Sequence, residues 1–111
     1  MSRDTTQRIA DVLDAIDRCQ RYVVALTDDP GTAEMAEDAI ERNLQIIGEA
    51  VNHLPQGIVS AHPEIPWPQI RGFRNILVHQ YFGVDIDVVR DVVVRYLPPL
   101  AEALRSDSID G

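Results

Sequence analysis

Seven apolar residues, Ile9, Val12, Leu13, Ile16, Cys19, Val23 and Leu26, recur at steps of three and four. That spacing lays them along one stripe of an α-helix; a strand would need alternation every second residue. A helix of roughly Asp4 to Leu26 follows, with Asp11, Asp14, Asp17, Arg18 and Arg21 mostly on its wet side. Cys19 is the only cysteine, so the chain can make neither an intrachain disulfide nor a cysteine cluster for zinc. At helical spacing from Ile16 and Val23 it reads as a small core residue rather than a reactive thiol.

The same period repeats downstream. "TDDPG" breaks the first helix, and Thr32, opening "TAEM", is expected to cap a second that runs to about Leu54, with Ala36, Ile40, Leu44, Ile47, Val51 and Leu54 inward. "PQG" at Pro55 to Gly57 ends it. The proline-rich "IVSAHPEIPWPQI" is expected to be connector until Pro66 and Pro68 start a third helix in their favoured first-turn positions. That helix carries Ile70, Phe73, Ile76 and Leu77 and should stop near Gln80, ahead of Gly83. Asp85 can cap a last helix, "DIDVVRDVVVRYLPPLAEALR". Its valines suit a strand, but Ile86, Val89, Val93, Tyr96, Leu97 and Leu100 keep helical spacing, and Pro98–Pro99 should bend or split it. The tail, residues 105–111, is expected to fray. Residues 1–111 therefore form one all-α domain, an up-and-down bundle of four to five helices.

Composition narrows the function. Hydrophobic residues make up 45% and charged residues 25% of 111 residues, which is ordinary for a globular domain. No apolar run approaches the roughly 18 residues of a membrane span, and "MSRDTTQRIAD" has no apolar core of a signal peptide, so a cytoplasmic protein is expected, with no membrane partner. All ten basic residues are arginine, and the formal net charge is −8. Broad electrostatic affinity for nucleic acid is therefore disfavoured, and any such role must use a local arginine site.

Two polar patches stand out. In "ERNLQIIGEA", Gly48 costs about 1 kcal/mol in mid-helix relative to alanine, which suits the close approach of another helix and also suits a ligand contact. Arg42 and Glu49 lie seven residues apart, near one face, while Asp38 four residues before Arg42 offers it an ordinary ion pair. In "FRNILVHQYFG", Asn75 and His79 share a helix face, but Arg74 and His79 are five apart, about 140° around a helix. The two meet only if the helix turns near His79 or if two copies come together on a two-fold axis.

The chemistry of that pair suits a phosphodiester. A histidine titrates near neutrality and can move a proton, and an arginine fork binds phosphate oxygens and developing charge. No carboxylate and histidine set at metal-ligand spacing accompanies them, so no metal and no cofactor is expected. RNA supplies its own nucleophile, the 2′-hydroxyl, which DNA lacks. The same residues are also what a helix C-terminus ordinarily carries, with His79 and Arg74 complementing the dipole and Tyr81 covering the core edge.

"RNILVHQY" resembles the motif of the HEPN superfamily, with Arg74, Asn75, His79 and Tyr81 at its defining positions. "RNLQIIGEAVNHLP", "HPEIPWPQIRGFRNILVHQYFGVD" and "YLPPL" are similar to one branch, the HepT-like toxins of HEPN/minimal nucleotidyltransferase pairs. The resemblance covers nearly all of Arg42 to Leu100. It implies a homodimer whose two motifs share a cleft and a metal-independent ribonuclease. In it His79 would be general acid or base, Arg74 would engage the phosphate, and Asn75 would contact the same group. It further implies a cognate nucleotidyltransferase antitoxin able to transfer AMP to Tyr81, and an RNA target such as tRNA or mRNA. The alternative is a non-catalytic helical module that docks onto a nucleotidyltransferase and supplies part of its substrate-binding face.

Overall fold

A pair of carboxylate caps starts the first two long helices. Asp4 accepts a hydrogen bond from the Gln7 backbone N–H at 2.8 Å and opens α1, Thr5–Tyr22. The computed structural model describes residues 4–73 and 86–110, with side chains through 106. After Tyr22 the chain tightens into a 3-10 turn, Val23–Thr27, closed by the Thr27 hydroxyl donating to the Val24 carbonyl at 3.3 Å. The first helical segment thus reaches its expected end, with its last turn overwound.

The second cap differs from the expectation. α2, Pro30–Asn52, is capped by Asp29 and not by Thr32. Asp29 accepts from the Thr32 backbone N–H at 3.2 Å and from the Thr32 hydroxyl at 2.9 Å. The physical reason is Pro30: it holds its predecessor extended (Asp29 φ −56, ψ 156) and takes the first helical position, where a missing N–H costs nothing. Helix α2 then buries Ala36, Ile40, Leu44, Ile47 and Val51, the stripe expected of it, and Leu54 beyond its end is buried as well. Gly48 is buried within α2, consistent with close helix packing. A second arc of α2 is buried too, because α2 packs on α1, on the 3-10 turn, on α4 and on α5. Here α4 is Trp67–Arg71 and α5 is Ile86–Arg95.

The segment expected to be plain connector contains a short helix, α3, Gln56–Ala61, with Pro55 at its N-cap position. Pro55 ends α2 and, by the same fixed φ, begins α3. Ile58 and Val59 of α3 lean partly buried against the core. Pro66 caps α4 and Pro68 sits in its first turn, as expected. Trp67 is buried, and its indole N–H donates to the His62 carbonyl at 3.0 Å, so α4 is pinned to the end of α3.

The valine-rich region is helical. α5 stops at Arg95, and α6 runs Leu97–Asp110, with Tyr96 at the break and Pro98 and Pro99 in the first turn of α6, where no intrahelical N–H bond is lost. α6 extends through the segment expected to fray. It returns along α1 and packs on α5, burying Leu97, Leu100, Ala101, Ala103 and Leu104. α1, α2, α5 and α6 make an all-α bundle of 42 × 30 × 24 Å, and no strand occurs among the described residues. None of those helices is long and apolar enough to cross a membrane.

Cys19 sits at the α1–α2 seam with no exposed surface, its thiol donating to the Ile40 carbonyl at 3.9 Å. Burial pushes that thiol up to about 12, so it is protonated at neutral pH and is the core residue its spacing suggests.

Candidate functional site: a motif segment and an arginine groove

α4 ends at Arg71 with Gly72 as its C-cap, before Phe73, which the third helix is expected to carry. Arg74, Asn75, His79 and Tyr81, together with the expected helix end near Gln80 and the Asp85 cap, lie outside the described residues. The structure defines the frame that holds their segment. Phe73, immediately before Arg74, is buried and its ring meets that of Tyr96. On the far side, α5 begins at Ile86 and buries Val89 and Val93. Residues 74–85 therefore follow a buried core residue, and the half-buried Ile86 that succeeds them packs against the core. Arg71, in the last turn of α4, is half-buried, and its Nε is buried with no hydrogen bond among the described residues.

A second feature was not foreseen from spacing. A groove of about 430 Å³ opens between α1 and α2, lined by Arg8 and Asp11 on α1 and by Arg42, Gln45, Ile46, Glu49 and Ala50 on α2. Arg42, Gln45, Ile46 and Glu49 step by three, one and three, which is one face of a helix. Sequence spacing put Arg42 and Glu49 near one face, and the structure places both in this groove. It does not form the expected Asp38–Arg42 pair. Arg42 is exposed and makes no ion pair among the described residues. Glu49 instead reaches forward to the C-cap residue of α2, His53, Oε1 to Nε2 3.1 Å.

Most other described arginines are locally paired, Arg71 and Arg105 excepted. Arg18, Arg21, Arg90 and Arg95 each pair with an aspartate three or four residues earlier on the same helix, at 2.9–3.2 Å. Those surface pairs keep positive charge locally balanced. Arg8 and Arg42 have no such partner among the described residues, and they converge from two different helices. The groove also carries the Asp11 and Glu49 carboxylates, and a further acidic cluster lies nearer the start of α2. There Glu37 has its carboxyl raised above the ordinary value by partial burial and by Asp38 and Glu34.

Glu41, 1% exposed, is a buried carboxylate in α2 that sequence reading passed over; the acidic and apolar letters around it carry no signal that this glutamate faces inward. His62 Nδ1 lies 3.4 Å from Glu64 Oε1, remote in sequence from the motif. Among the described residues, no three histidine, cysteine or acidic side chains gather as metal ligands would.

Residues 12–106 match the family profile described as ribonuclease HepT-like, and the matched span includes the whole Arg74–Tyr81 motif. The chain belongs to the HepT-like ribonuclease family. Among its relatives, a Thermococcus cleftensis protein named "Probable ribonuclease HepT" is 33% identical over 101 residues, which cover 90% of this chain and 92% of that protein. A Methanocaldococcus jannaschii protein named "Gamma-glutamylcyclotransferase and putative RNase" is 33% identical over 105 residues, 94% of this chain. The chain spans only about half of that protein's length, 47%. A Caldanaerobacter subterraneus protein named "Putative RNase" is 37% identical over 67 residues, 60% of each chain. No solved structure matches significantly.

Proposed function

We propose that this chain is the ribonuclease toxin of a toxin–antitoxin pair and acts as a homodimer. One observation carries the reading: a complete Arg–Asn–x3–His–x–Tyr motif lies inside the family-matched span, on a segment between the buried Phe73 and the partly buried Ile86, both packed on the core. Flanking residues held in a packed core restrict where the motif can go, and catalytic groups need such placement. The dimer is part of the proposal because a regular helix would set Arg74 and His79, five residues apart, about 140° from each other, so a shared cleft would let one copy supply what the other cannot.

The chemistry follows from the residue types. The RNA 2′-hydroxyl attacks the adjacent phosphorus, the bond to the 5′-oxygen breaks, and a 2′,3′-cyclic phosphate remains. His79 removes the 2′-proton or delivers one to the departing 5′-oxygen. Arg74 holds the non-bridging oxygens as negative charge grows on them, and Asn75 donates to the same group. No step requires a metal. A nucleotidyltransferase antitoxin would silence the site by placing AMP on Tyr81, whose added negative charge beside Arg74 would occupy the phosphate position and repel RNA.

The test is expression of the chain alone, with growth and RNA integrity followed in parallel, and cleavage by purified protein in excess chelator. The wild type should slow growth and cut RNA with chelator present. His79→Ala should lower the cleavage rate by about 10²–10⁴-fold, the usual contribution of a positioned acid–base group. An equally toxic His79→Ala protein would sink the reading. A wild type that binds a nucleotidyltransferase tightly yet cuts nothing would instead favour a docking module.

A further inference from the structure

We propose that the α1–α2 groove is a second RNA contact, a subsite that takes a phosphodiester and its nucleotide from single-stranded RNA, with Arg8 and Arg42 as the phosphate ligands. The inference rests on the ribonuclease reading for its choice of RNA, but on different residues. Arg8 and Arg42 line one groove from two helices, and neither forms an ion pair among the described residues. Four of the chain's other arginines are paired within their own helix. The carboxylates of Asp11 and Glu49 share the lining but pair with neither arginine among the described residues, so both guanidinium forks keep their donors for a bound anion, which also relieves their mutual repulsion.

The remaining lining specifies what kind of anion. Ile46 is 36% exposed and gives the floor an apolar patch on which a base can lie. Gln45 adds an amide that both donates and accepts. Glu49 is engaged by His53, Oε1 to Nε2 3.1 Å, which ties up one of its carboxylate oxygens. A volume of about 430 Å³ suits one or two nucleotides rather than a duplex. Guanidinium forks beside an apolar floor are the means by which proteins hold single strands without reading sequence. A second copy of this chain is the poorer occupant, because a two-fold interface here would bury four arginines together with four carboxylates, and desolvating that many charges is costly. On a chain of net charge −8, such a groove is the local arginine site that RNA binding requires.

The experiment uses the full chain and a fluorescent single-stranded oligonucleotide carrying 2′-O-methyl groups, which blocks cleavage and isolates binding. Affinity is measured against salt for wild type, Arg8→Gln, Arg42→Gln, the double variant, and Arg105→Gln as a charge-matched control on exposed α6. Each groove substitution should weaken binding about tenfold. The double variant should flatten the slope of log affinity against log salt by about 1.4, the value for two lost phosphate contacts on a single strand. Arg105→Gln should change neither. An unchanged affinity and slope in the double variant overturns the subsite, as does a wild type that does not bind the oligonucleotide. A change of oligomeric state by light scattering without a change in slope overturns it in favour of a subunit interface. Free AMP binding as tightly as the oligonucleotide overturns the strand assignment. If Arg8 and Arg42 carry the binding but unmodified RNA is never cut, the subsite stands and the ribonuclease reading falls.

Discussion

The rings of Phe73 and Tyr96 stand 6.2 Å apart between centroids and are tilted by 51°. Phe73 directly precedes Arg74, and Tyr96 is the residue at which α5 gives way to α6. One tilted aromatic contact therefore links the entrance of the motif segment to the break between the last two helices.

Phe73→Ala should accordingly cost stability and activity together. Loss of a buried phenyl ring typically destabilises by about 3–5 kcal/mol, whereas Phe73→Leu should cost much less. Urea denaturation measures the first effect. Cleavage rate per folded molecule measures the second, and it should fall for Phe73→Ala even where the protein is fully folded. A cost under about 1 kcal/mol would show that the ring is not an anchor.

Asp29 ties the start of α2 to pH. Hydrogen bonds from the Thr32 backbone N–H and then from its hydroxyl hold the Asp29 carboxyl below its ordinary value of 3.8. Because the folded value is depressed, the stabilisation is present above the ordinary carboxylate range and is lost as pH falls through the folded value. Asp29→Ala should lower the melting temperature at neutral pH, with a gap to wild type that closes under acid. Asp29→Asn, which still caps, should keep most of the stability without that acid dependence. A gap that stays constant into strong acid would refute the cap's charge dependence.

Cys19 gives the opposite sign. Burial lifts its thiol from 9.0 to about 12, so folding disfavours the thiolate. The folded stability is intact below about 9 and declines as pH climbs from there toward 12. The urea midpoint of the wild type should therefore fall faster than that of Cys19→Ala over this alkaline range. Parallel curves would mean that the thiol ionises as readily in the fold as out of it.

Tyr81 carries the regulatory prediction. Co-expressed with a cognate nucleotidyltransferase and ATP, the wild-type chain should gain mass in whole AMP units, and Tyr81→Phe should gain none. Modified protein should lose RNA cleavage, since bulky negative charge would stand beside Arg74. A stable complex with no added mass would point to inhibition by occlusion.

Much of this architecture is legible in spacing alone. The apolar stripes of α1 and α2 and the helical period under the valines of α5 survive folding because burial of one face is a local property of the sequence. The misreadings have local causes of another kind. Thr32 and Asp29 are both good caps, and the choice fell to Pro30, which imposes an extended residue before it. α3 hid among prolines because Pro55 was read as a stop when it is also a start. Asp38 and Arg42 have the right separation for an ion pair, yet such a pair is worth only a few tenths of a kcal/mol, too little to fix a side chain against other choices. The arginine groove was illegible for a different reason: Arg8 and Arg42 are 34 positions apart, and only the α1–α2 packing brings them to one cavity. The motif at Arg74 to Tyr81 was read from resemblance, which concerns the identity of letters rather than their placement.

Trp67 is the only tryptophan, 5% exposed, and hydrogen-bonded by its indole to the end of the preceding helix. It opens α4, whose far end leads through Phe73 into the motif. The molecule thus carries a single tryptophan fluorophore a few residues upstream of its proposed chemistry. Emission from that indole reports any reorientation of α4 when RNA, a nucleotidyltransferase or a second subunit arrives, with no label attached and no other tryptophan to confuse the signal.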